Sequence, residues 1–348
     1  MAELKPFNNN EYEKLVISCE TAIRSSVEES VRVVTRLQLS TYWEVGRYIV
    51  EYEQHGEKTA EYGQQLLANL SKDLTARLGK GYGKSNLYLM RKFYTLFPNG
   101  VSELDGLSWS HVIELLNISD DLERQFYINE CIAEKWSVRF LKKQKDRALF
   151  LRIAAEKKDR DEVLKLAQNG IEIATPKDIV KDTYTLDFLG IDVSKEKLYE
   201  DVLEAKIIHN VKDFLIELGK GYIYVGEQYP IKVGSSTYKC DLVFYNRILK
   251  CFVLIDLKVN PVKHIDIGQM NMYMGYFAEE VNEPDDNPPV GIILARDKDE
   301  LLVKYATYGM DNNLFVSKYE LYLPDKKELK KLVDNIIDED TEGKCLEN

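Results

Sequence analysis

Two apolar segments separated by a short turn constrain the fold of this chain more than any other feature. Residues 238–245 and 249–259 are rich in branched and aromatic side chains, and neither alternates regularly between apolar and polar positions. Strands that are apolar on both faces lie in the centre of a sheet and are covered on both sides. The sequence therefore predicts a buried β-hairpin, with its turn at 246–249, inside a mixed α/β domain.

This hairpin contains two aspartates and a lysine among its apolar residues. The midpoint between Asp241 and Asp256 falls in the turn, so the predicted pairing makes them cross-strand neighbours with Cβ atoms about 4.5–5.5 Å apart. Lys258 follows Asp256 by two residues and points to the same face. Burial and repulsion both oppose two adjacent negative charges. Either one aspartate is protonated, or Lys258 bridges both, or a divalent cation such as Mg²⁺ or Mn²⁺ lies between them. A plain buried salt bridge is the structural alternative.

The segments around the hairpin complete the α/β pattern. We predict a helix over about 200–218 that ends at Gly219 and Gly221, then a strand at 222–225. Beyond the hairpin we predict a helix at 265–278, a strand at 290–295, a helix at 300–308 and a strand at 314–316. The predicted order is αβββαβ, followed by one more helix and strand.

The first half of the chain has the apolar spacing of helices. It predicts a long helix from about 11 to 53 and further helices at 59–78, 86–97, 108–117, 120–133 and 138–168, the last of them either continuous or broken. The length of 348 residues predicts two domains. We expect an all-helical domain at 1–168, a linker at 169–186, the α/β domain at 187–333 and a disordered acidic tail at 334–348.

Charge and cysteine content narrow the classes of protein. The formal net charge of −11 argues against a protein that coats nucleic acid through bulk charge, although local basic patches can still bind it. The five cysteines are scattered and show no metal-ligand spacing, which is typical of reduced thiols in a cytoplasmic protein. No apolar run is long enough to span a membrane, and no signal peptide is visible.

Two segments of the helical half resemble helix-turn-helix units, whose second helix can enter the major groove of DNA. The first unit covers 62–97 with a glycine turn at 79–83, and the second joins the helix ending near 133 to one that starts at Ser137. The same geometry also packs helices without DNA, and charged residues are typical of a solvated helix face. The candidate DNA contacts are Lys84, Asn86, Arg91, Lys92, Arg139, Lys142 and Lys143.

The charged residues of the hairpin resemble the signature of the PD-(D/E)xK phosphodiesterase superfamily. Asp241 matches its first aspartate, and Asp256 with Lys258 matches its D/E-x-K element. Cys240 stands where the motif has proline, and aspartate at 256 reaches one methylene less far than glutamate. The superfamily's glutamate on the first core helix matches Glu204 best and Glu200 less well, and its following glutamine matches Gln269.

More narrowly, the chain resembles YhcG-like proteins of bacteria, which join an all-helical N-terminal domain to such a nuclease domain. The segments 218–222, 42–47 and 107–111 carry this resemblance, which extends from about residue 12 to 325.

The resemblance implies a restriction-endonuclease-like fold and hydrolysis of a phosphodiester. In that scheme Asp241, Asp256 and Glu204 hold Mg²⁺ or Mn²⁺, and Lys258 orients the attacking water or stabilises the transition state. Gln269 and Tyr273, one helical turn apart, would line the same face, although both also suit ordinary helix packing.

The leading functional hypothesis is a metal-dependent DNA nuclease, more specifically an endonuclease, that forms a homo-oligomer and needs no organic cofactor or membrane. Three alternatives stay open at this point: a DNA-binding or scaffolding protein with a nuclease-like fold, an RNA-directed nuclease, and a structural partner-binding protein whose basic helices are merely solvated.

Overall fold

The computed structural model describes residues 9–54, 60–192, 198–308 and 313–345. The chain divides into two compact units, one formed by Met1–Gly170 with Val333–Asn348 and the other by Ile171–Leu332. The described part of the first half is helical and the second half contains a mixed sheet with helices, which confirms the predicted fold class.

The helical unit contains a long first helix and several shorter ones. Their bounds are α1 (Asn9–Gln54), α2 (Ala60–Leu78), α3 (Lys84–Leu96), α4 (Trp109–Leu116), α5 (Asp121–Ala133), α6 (Val138–Asp146), α7 (Leu149–Ala154) and α8 (Arg160–Asn169).

Two helices in this unit differ in detail from the sequence analysis. The segment 138–168, for which the sequence left a break open, is three helices, because Ala148 has a left-handed φ of 52° and Asp159 caps a new helix through the Glu162 N–H. Helix α3 begins at Lys84, two residues before its predicted start, with Gly83 as its N-cap and no side-chain cap.

Close helix packing explains the segment 42–47. A Cβ on Gly46 would lie 2.0 Å from the carbonyl oxygen of Met90, so only glycine lets α1 approach α3 this closely. Trp43 Nε1 donates to the Phe97 carbonyl at 2.7 Å, which ties α1 to the end of α3. The residues of 42–47 that resemble YhcG-like proteins therefore serve the packing of the helical unit.

The second unit is built on a sheet. Its strands are β1 (Thr183–Thr185), β2 (Tyr222–Val233), β3 (Ser236–Asn246), β4 (Cys251–Lys258), β5 (Val290–Ala295) and β6 (Leu314–Glu320). Its helices are α9 (Glu200–His209), α10 (Val211–Leu218), α11 (His264–Tyr276) and α12 (Glu300–Ala306), and α13 (Lys326–Cys345) crosses the limit between the units.

Several elements of the second half differ from their predictions. The helix predicted at 200–218 is interrupted at Asn210, whose backbone leaves helical geometry. The expected linker at 169–186 contains β1, a strand too short to show any periodicity. Helix α13 begins before the tail that was expected to be disordered, where Leu329 and Val333 are buried one helical turn apart, and continues through most of it.

The described strands form one sheet in the order β1-β6-β5-β4-β3-β2. Strands β2, β3 and β4 are antiparallel neighbours, and β4, β5, β6 and β1 run parallel. The side chains of α9 and α10 pack against one face of the sheet, and those of α11 pack against the other. Both faces of the central strands are thus covered, as the apolar character of the hairpin predicts.

Candidate active site

The hairpin of β3 and β4 has the register that brings its two aspartates together. Leu242 pairs with Ile255, and one further step along this register places Asp241 across from Asp256. At that step the Leu257 N–H donates to Asp241 Oδ2 at 2.8 Å. The predicted cross-strand neighbourhood is therefore present at the carboxyl end of β4.

The turn of this hairpin is fixed by a buried amide. Asn246 Oδ1 accepts hydrogen bonds from the N–H groups of Ile248 and Leu249 at 3.0 and 3.1 Å, and Lys250 adopts a left-handed φ of 49°. An asparagine that bonds to the backbone ahead of it stabilises a turn. The turn lies where the sequence predicted it, and it sets the register on which the site depends.

Lys258 pairs with one aspartate and with a glutamate. Its Nζ lies 2.5 Å from Asp256 Oδ2 and 3.8 Å from Glu200 Oε2. Glu200 Oε1 also accepts the Val259 N–H at 3.3 Å. Of the alternatives left open by the sequence, the structure favours a charge pair between Lys258 and Asp256 over a lysine that bridges both aspartates.

Glu204 reaches Asp241 through an amide that the sequence analysis did not single out. Gln228 Nε2 donates to Glu204 Oε1 and Oε2 at 2.8 and 2.9 Å and lies 3.2 Å from Asp241 Oδ1. Gln228 belongs to β2, and its φ of 47° is left-handed. Neither its position opposite Asp241 nor its backbone conformation follows from a sequence pattern.

The carboxylic acids of the site hold their protons more tightly than usual. Burial, and then the charge of Asp241, raises the pKa of Asp256 to about 6, although Lys258 opposes this shift. Burial also raises the pKa of Asp241 against the hydrogen bond from Leu257, and it raises that of Glu204 against the bond from Gln228. The site therefore brings several carboxylates together, and Lys258 compensates only part of their negative charge.

The lysine remains a cation in this environment. Burial lowers the pKa of Lys258, but the charge and hydrogen bond of Asp256, together with Glu200 and Asp241, raise it by more, so the net shift is upward. A group intended as a general base would need the opposite shift. Lys258 is therefore suited to stabilising negative charge on a substrate.

The chemistry of these donors fits a divalent cation held by two carboxylates. Asp256 is 3% exposed, and the Lys258 ammonium, 2.5 Å from its Oδ2, is the cation that the protein supplies to it. Mg²⁺ is commonly held by one or two carboxylates together with water and substrate phosphates. Within the described part of the chain, no three His, Cys, Asp or Glu side chains gather as ligands of one ion. Asp241 and Asp256 thus bring two carboxylates together, while Glu204 is bound to Gln228.

Gln269 lies on α11 and interacts with its neighbour one helical turn away. Its Nε2 donates to the hydroxyl of Tyr273, and that hydroxyl donates to the Lys239 carbonyl at 2.9 Å. Burial, followed by smaller effects that include the charges of Asp256 and Asp241, raises the pKa of Tyr273. Gln269 and Tyr273 therefore share one face, as predicted, but Gln269 is engaged in packing the helix onto the sheet.

Some of the candidate DNA contacts of α3 bond to other residues of the helical unit, and others are accessible at its surface. Asn86 donates to the Gly81 carbonyl at 2.6 Å and accepts from Trp109 Nε1 at 3.0 Å, so its amide closes the glycine turn. Arg91 Nε donates to Glu53 Oε2 at 2.7 Å. Lys84 is exposed at the start of the helix, and Lys92 is half-buried. Of these four residues, Lys84 is exposed and the other three are half-buried.

The candidates on α6 are more accessible. Arg139 and Lys142 are exposed, while Lys143 is half-buried. Ser137 accepts the Phe140 N–H at 3.3 Å and caps the helix, as a residue before a helix start should. DNA contact by these residues stays a prediction.

None of the described helices combines the length and the apolar character that a membrane crossing requires.

Comparisons with known proteins cover both halves of the chain. The family described as "YhcG PDDEXK nuclease domain" matches residues 177–334, and the one described as "DUF1016 N-terminal domain" matches residues 18–152. The chain is 32% identical over 339 residues to "Putative nuclease YhcG" of Escherichia coli (strain K12), in a match that covers 88% of this chain and 89% of that protein.

One solved structure is also similar, a repair endonuclease from Pyrococcus abyssi. The match has 18% identity and a TM-score of 0.25, and it covers 37% of this chain and 50% of that one. A likeness of this size supports no conclusion about the site. The extended match to the Escherichia coli protein, together with the two family matches, shows that this chain belongs to the YhcG family of PDDEXK nucleases.

Proposed function

We propose that this protein is a divalent-metal-dependent nuclease that hydrolyses phosphodiester bonds in DNA, and that it cuts as an endonuclease. The observation that carries the proposal is the meeting of Asp241, Asp256 and Lys258 at the end of a buried hairpin. Two facing carboxylates beside a lysine are costly in a sheet core unless they serve a ligand. The match to a nuclease family supports phosphodiester hydrolysis as the reaction that these residues would serve.

Asp241 and Asp256 are the residues that would hold the cation, with Glu204 as a further oxygen donor. When bound, the cation supplies an acidified water and shields the charge of the scissile phosphate. The Leu257 N–H holds Asp241 in place through its Oδ2, so this carboxylate keeps one orientation. The hairpin register thus presents both aspartates to the same point.

Lys258 provides the fixed positive charge of the proposed mechanism. It lies 2.5 Å from Asp256 Oδ2, its side chain is 16% exposed, and its pKa is raised. A preorganised cation in a site of low water content stabilises negative charge that develops on a phosphate. Glu200, 3.8 Å away, limits where the ammonium group can move.

A cleavage assay tests this proposal. The protein would be incubated with supercoiled, linear, single-stranded and branched DNA in Mg²⁺, Mn²⁺ or EDTA. We expect cleavage of supercoiled circles, which have no ends, only with a metal. Asp256→Ala and Lys258→Ala should each lower the rate by roughly 10²–10³-fold or more, the usual effect of removing a charge-stabilising group.

An exposed ion pair that includes a residue of the β3–β4 turn offers a matched control. Lys250 and Asp285 lie 3.8 Å apart, so Lys250→Asn and Asp285→Ala change the same residue types outside the site, and asparagine tolerates the left-handed backbone at position 250. Both variants should cleave like the wild type. Absence of metal-dependent cleavage by the wild type, with DNA binding retained, would instead favour a DNA-binding or scaffolding protein with a nuclease-like fold.

Exposed cations on the helical unit support DNA as the substrate. Lys84, Arg139 and Lys142 are exposed, and an arginine or lysine on a helix face can neutralise phosphates. RNA carries the same phosphates, so a competition experiment decides between them. Unlabelled duplex DNA should suppress cleavage of labelled DNA at a lower concentration than RNA of equal length; the reverse order would assign RNA as the substrate.

We also propose a homo-oligomer formed through α1. Residues 10–32 of this helix are all exposed, and Val16, Ile23, Val27 and Val34 form an apolar stripe at helical spacing. A second copy presents an identical stripe, so two copies can bury both in a coiled coil. Sedimentation equilibrium should show a dimer that Ile23→Glu dissociates, whereas Ser25→Glu, on the other side of the helix, should leave it intact. A monomeric wild type at tens of micromolar would contradict this proposal.

A cytoplasmic location is consistent with the thiols. Cys19, Cys131, Cys240 and Cys251 are free in the described chain. Reduced, unpaired cysteines are usual in proteins of the cytosol, where glutathione keeps thiols reduced. Fractionation of cells that produce the protein would test this location.

A further inference from the structure

Gln228 lies between the carboxylates of Glu204 and Asp241. Its Nε2 is 2.8 and 2.9 Å from the two oxygens of Glu204 and 3.2 Å from Oδ1 of Asp241. A carboxamide nitrogen carries two donor hydrogens and no net charge. One uncharged group thus lies within hydrogen-bond distance of three acidic oxygens that belong to two neighbouring carboxylates.

A β-bulge decides which residue faces Asp241. The register of β2 against β3 shifts by one residue between Tyr224 and Gly226. Beyond this shift Gln228 is the residue opposite Asp241, whereas the register before it would bring Glu227 to that position. Bulges re-aim side chains and occur often beside active sites. This bulge places an amide, and not another acid, across from Asp241.

The backbone at Gln228 is also unusual. Its φ of 47° lies in the left-handed region, which residues with a side chain rarely adopt. Such a conformation persists only where the surroundings impose it, and it is common at functional sites. At Gln228, the side-chain hydrogen bonds to Glu204 and Asp241 favour this left-handed backbone conformation.

From this geometry we propose that the Gln228 amide occupies the cation's place in the metal-free enzyme and leaves when a divalent cation binds. The inference rests on the metal-dependent nuclease proposed above and adds how its site is loaded. Mg²⁺ binds its oxygen ligands at about 2.0–2.1 Å. A cation shared by Glu204 and Asp241 would therefore occupy the space in which the amide nitrogen lies, so the two exclude each other.

This exclusion accounts for the incomplete ligand set. Within the described residues no three acidic or other metal-ligating side chains gather around one point, and Glu204 is held by Gln228. Release of Glu204 would complete the set with Asp241 and Asp256. Gln228 thus weakens metal binding in the resting enzyme and protects the carboxylates from mutual repulsion until the cation arrives.

Mn²⁺ titration of the full-length protein, followed by the electron paramagnetic resonance of free Mn²⁺, tests the inference without any substrate. Gln228→Gly removes the amide and suits the left-handed backbone. We expect it to bind Mn²⁺ roughly tenfold more tightly than the wild type, because the competing hydrogen bonds to charged groups are gone. Gln228→Asn keeps an amide that is one methylene shorter and tolerates the same backbone, so its affinity should lie between the two.

A glutamine outside the site provides the control. Gln125 on α5 donates to Asn129 at 3.2 Å, and Gln125→Ala should bind Mn²⁺ like the wild type. Equal or weaker Mn²⁺ binding by a folded Gln228→Gly would overturn the inference and show that the amide helps to build the metal site. If Gln228→Gly does not fold, Gln228→Asn decides: tighter binding than the wild type supports the inference, and equal or weaker binding overturns it.

The outcome is separable from that of the proposed function. Metal-dependent cleavage by the wild type, combined with unchanged Mn²⁺ affinity in Gln228→Gly, would reject only the role of Gln228. No metal-dependent cleavage by the wild type would reject the nuclease proposal itself. Wild-type cleavage together with tighter Mn²⁺ binding by Gln228→Gly would support both.

Discussion

The sheet-containing unit and the helical unit place their conspicuous polar residues differently. In the first, Asp241, Asp256 and Lys258 lie inside apolar strands and converge at one point of the sheet. In the second, Asn86 and Arg91 lie on a helix and bond to neighbouring parts of the same unit. A polar residue in a buried strand has few structural uses, whereas one on a helix has many nearby partners.

This difference shows that a charged residue in a buried strand is a stronger indication of function than one on a helix face. Burial of an aspartate costs free energy that a ligand or an ion pair must offset, so its presence in a strand core demands an explanation. A charged residue on a helix face has no such cost and is compatible with solvent, a cap or a surface ion pair. Three experiments sharpen or break this contrast.

The largest expected effect is the pH dependence of stability in the metal-free protein. The pKa of Asp256 is raised to about 6 from 3.8, so between these values the folded chain holds a proton that the unfolded chain has lost. The free energy of unfolding should therefore fall as pH rises from about 4 to about 6, by up to roughly 3 kcal/mol from this group. Urea titrations in EDTA at several pH values measure the change.

Asp256→Asn isolates this contribution, because asparagine has a similar shape and no titration in this range. The difference in unfolding free energy between wild type and variant should change across the window. Asp241 and Glu204, whose pKa values are also raised, titrate in both proteins and give the variant a residual slope of the same sign. A difference that is constant with pH would show that Asp256 does not carry an unfavourable charge in the folded state.

A smaller effect is expected at Asn86, which tests the helical side of the contrast. Asn86→Ala removes the bonds to the Gly81 carbonyl and to Trp109 Nε1 and leaves the indole donor unsatisfied. We expect a loss of about 1–3 kcal/mol in unfolding free energy and no change in DNA affinity for the folded variant. A variant of normal stability with weakened DNA binding would return Asn86 to the set of DNA contacts.

The smallest effect concerns the two exposed cations of α6. Arg139→Ala combined with Lys142→Ala should weaken DNA binding for every sequence and lower the slope of log affinity against log salt by about 1 per lost phosphate contact. Lys158→Ala, an exposed lysine of the same unit, serves as the control. An unchanged salt slope in the double variant would identify α6 as a merely solvated helix.

The sequence was sufficient to predict the fold class and the convergence of Asp241, Asp256 and Lys258 in space. The apolar hairpin, with Asp241 and Asp256 symmetric about its turn, determined a register that the structure reproduces. Pairing in a hairpin is a local property, because the turn and the alternation of side chains specify it. Lys258 then followed from its spacing alone.

Other features depend on contacts between distant segments and could not be predicted. The position of Gln228 depends on a bulge and a left-handed backbone in β2, neither of which has a sequence signature here. The partners of Asn86 and Arg91, Trp109 and Glu53, belong to other helices. Strand β1 has three residues, too few for any periodicity, and it exists because β6 supplies its hydrogen bonds.

The bulge in β2 also bears on how members of this family should be aligned and engineered. Because the extra residue near Val225 determines whether position 227 or 228 faces Asp241, loss of the bulge at unchanged strand length would exchange amide for acid without any substitution. Deletion of the extra residue itself would leave the amide in place, so the character of the site is encoded partly in the bulge. An alignment gap placed on the wrong side of Gly226 would compare residues that never occupy the same position. An insertion in this strand would alter the chemistry of the site more than most point mutations.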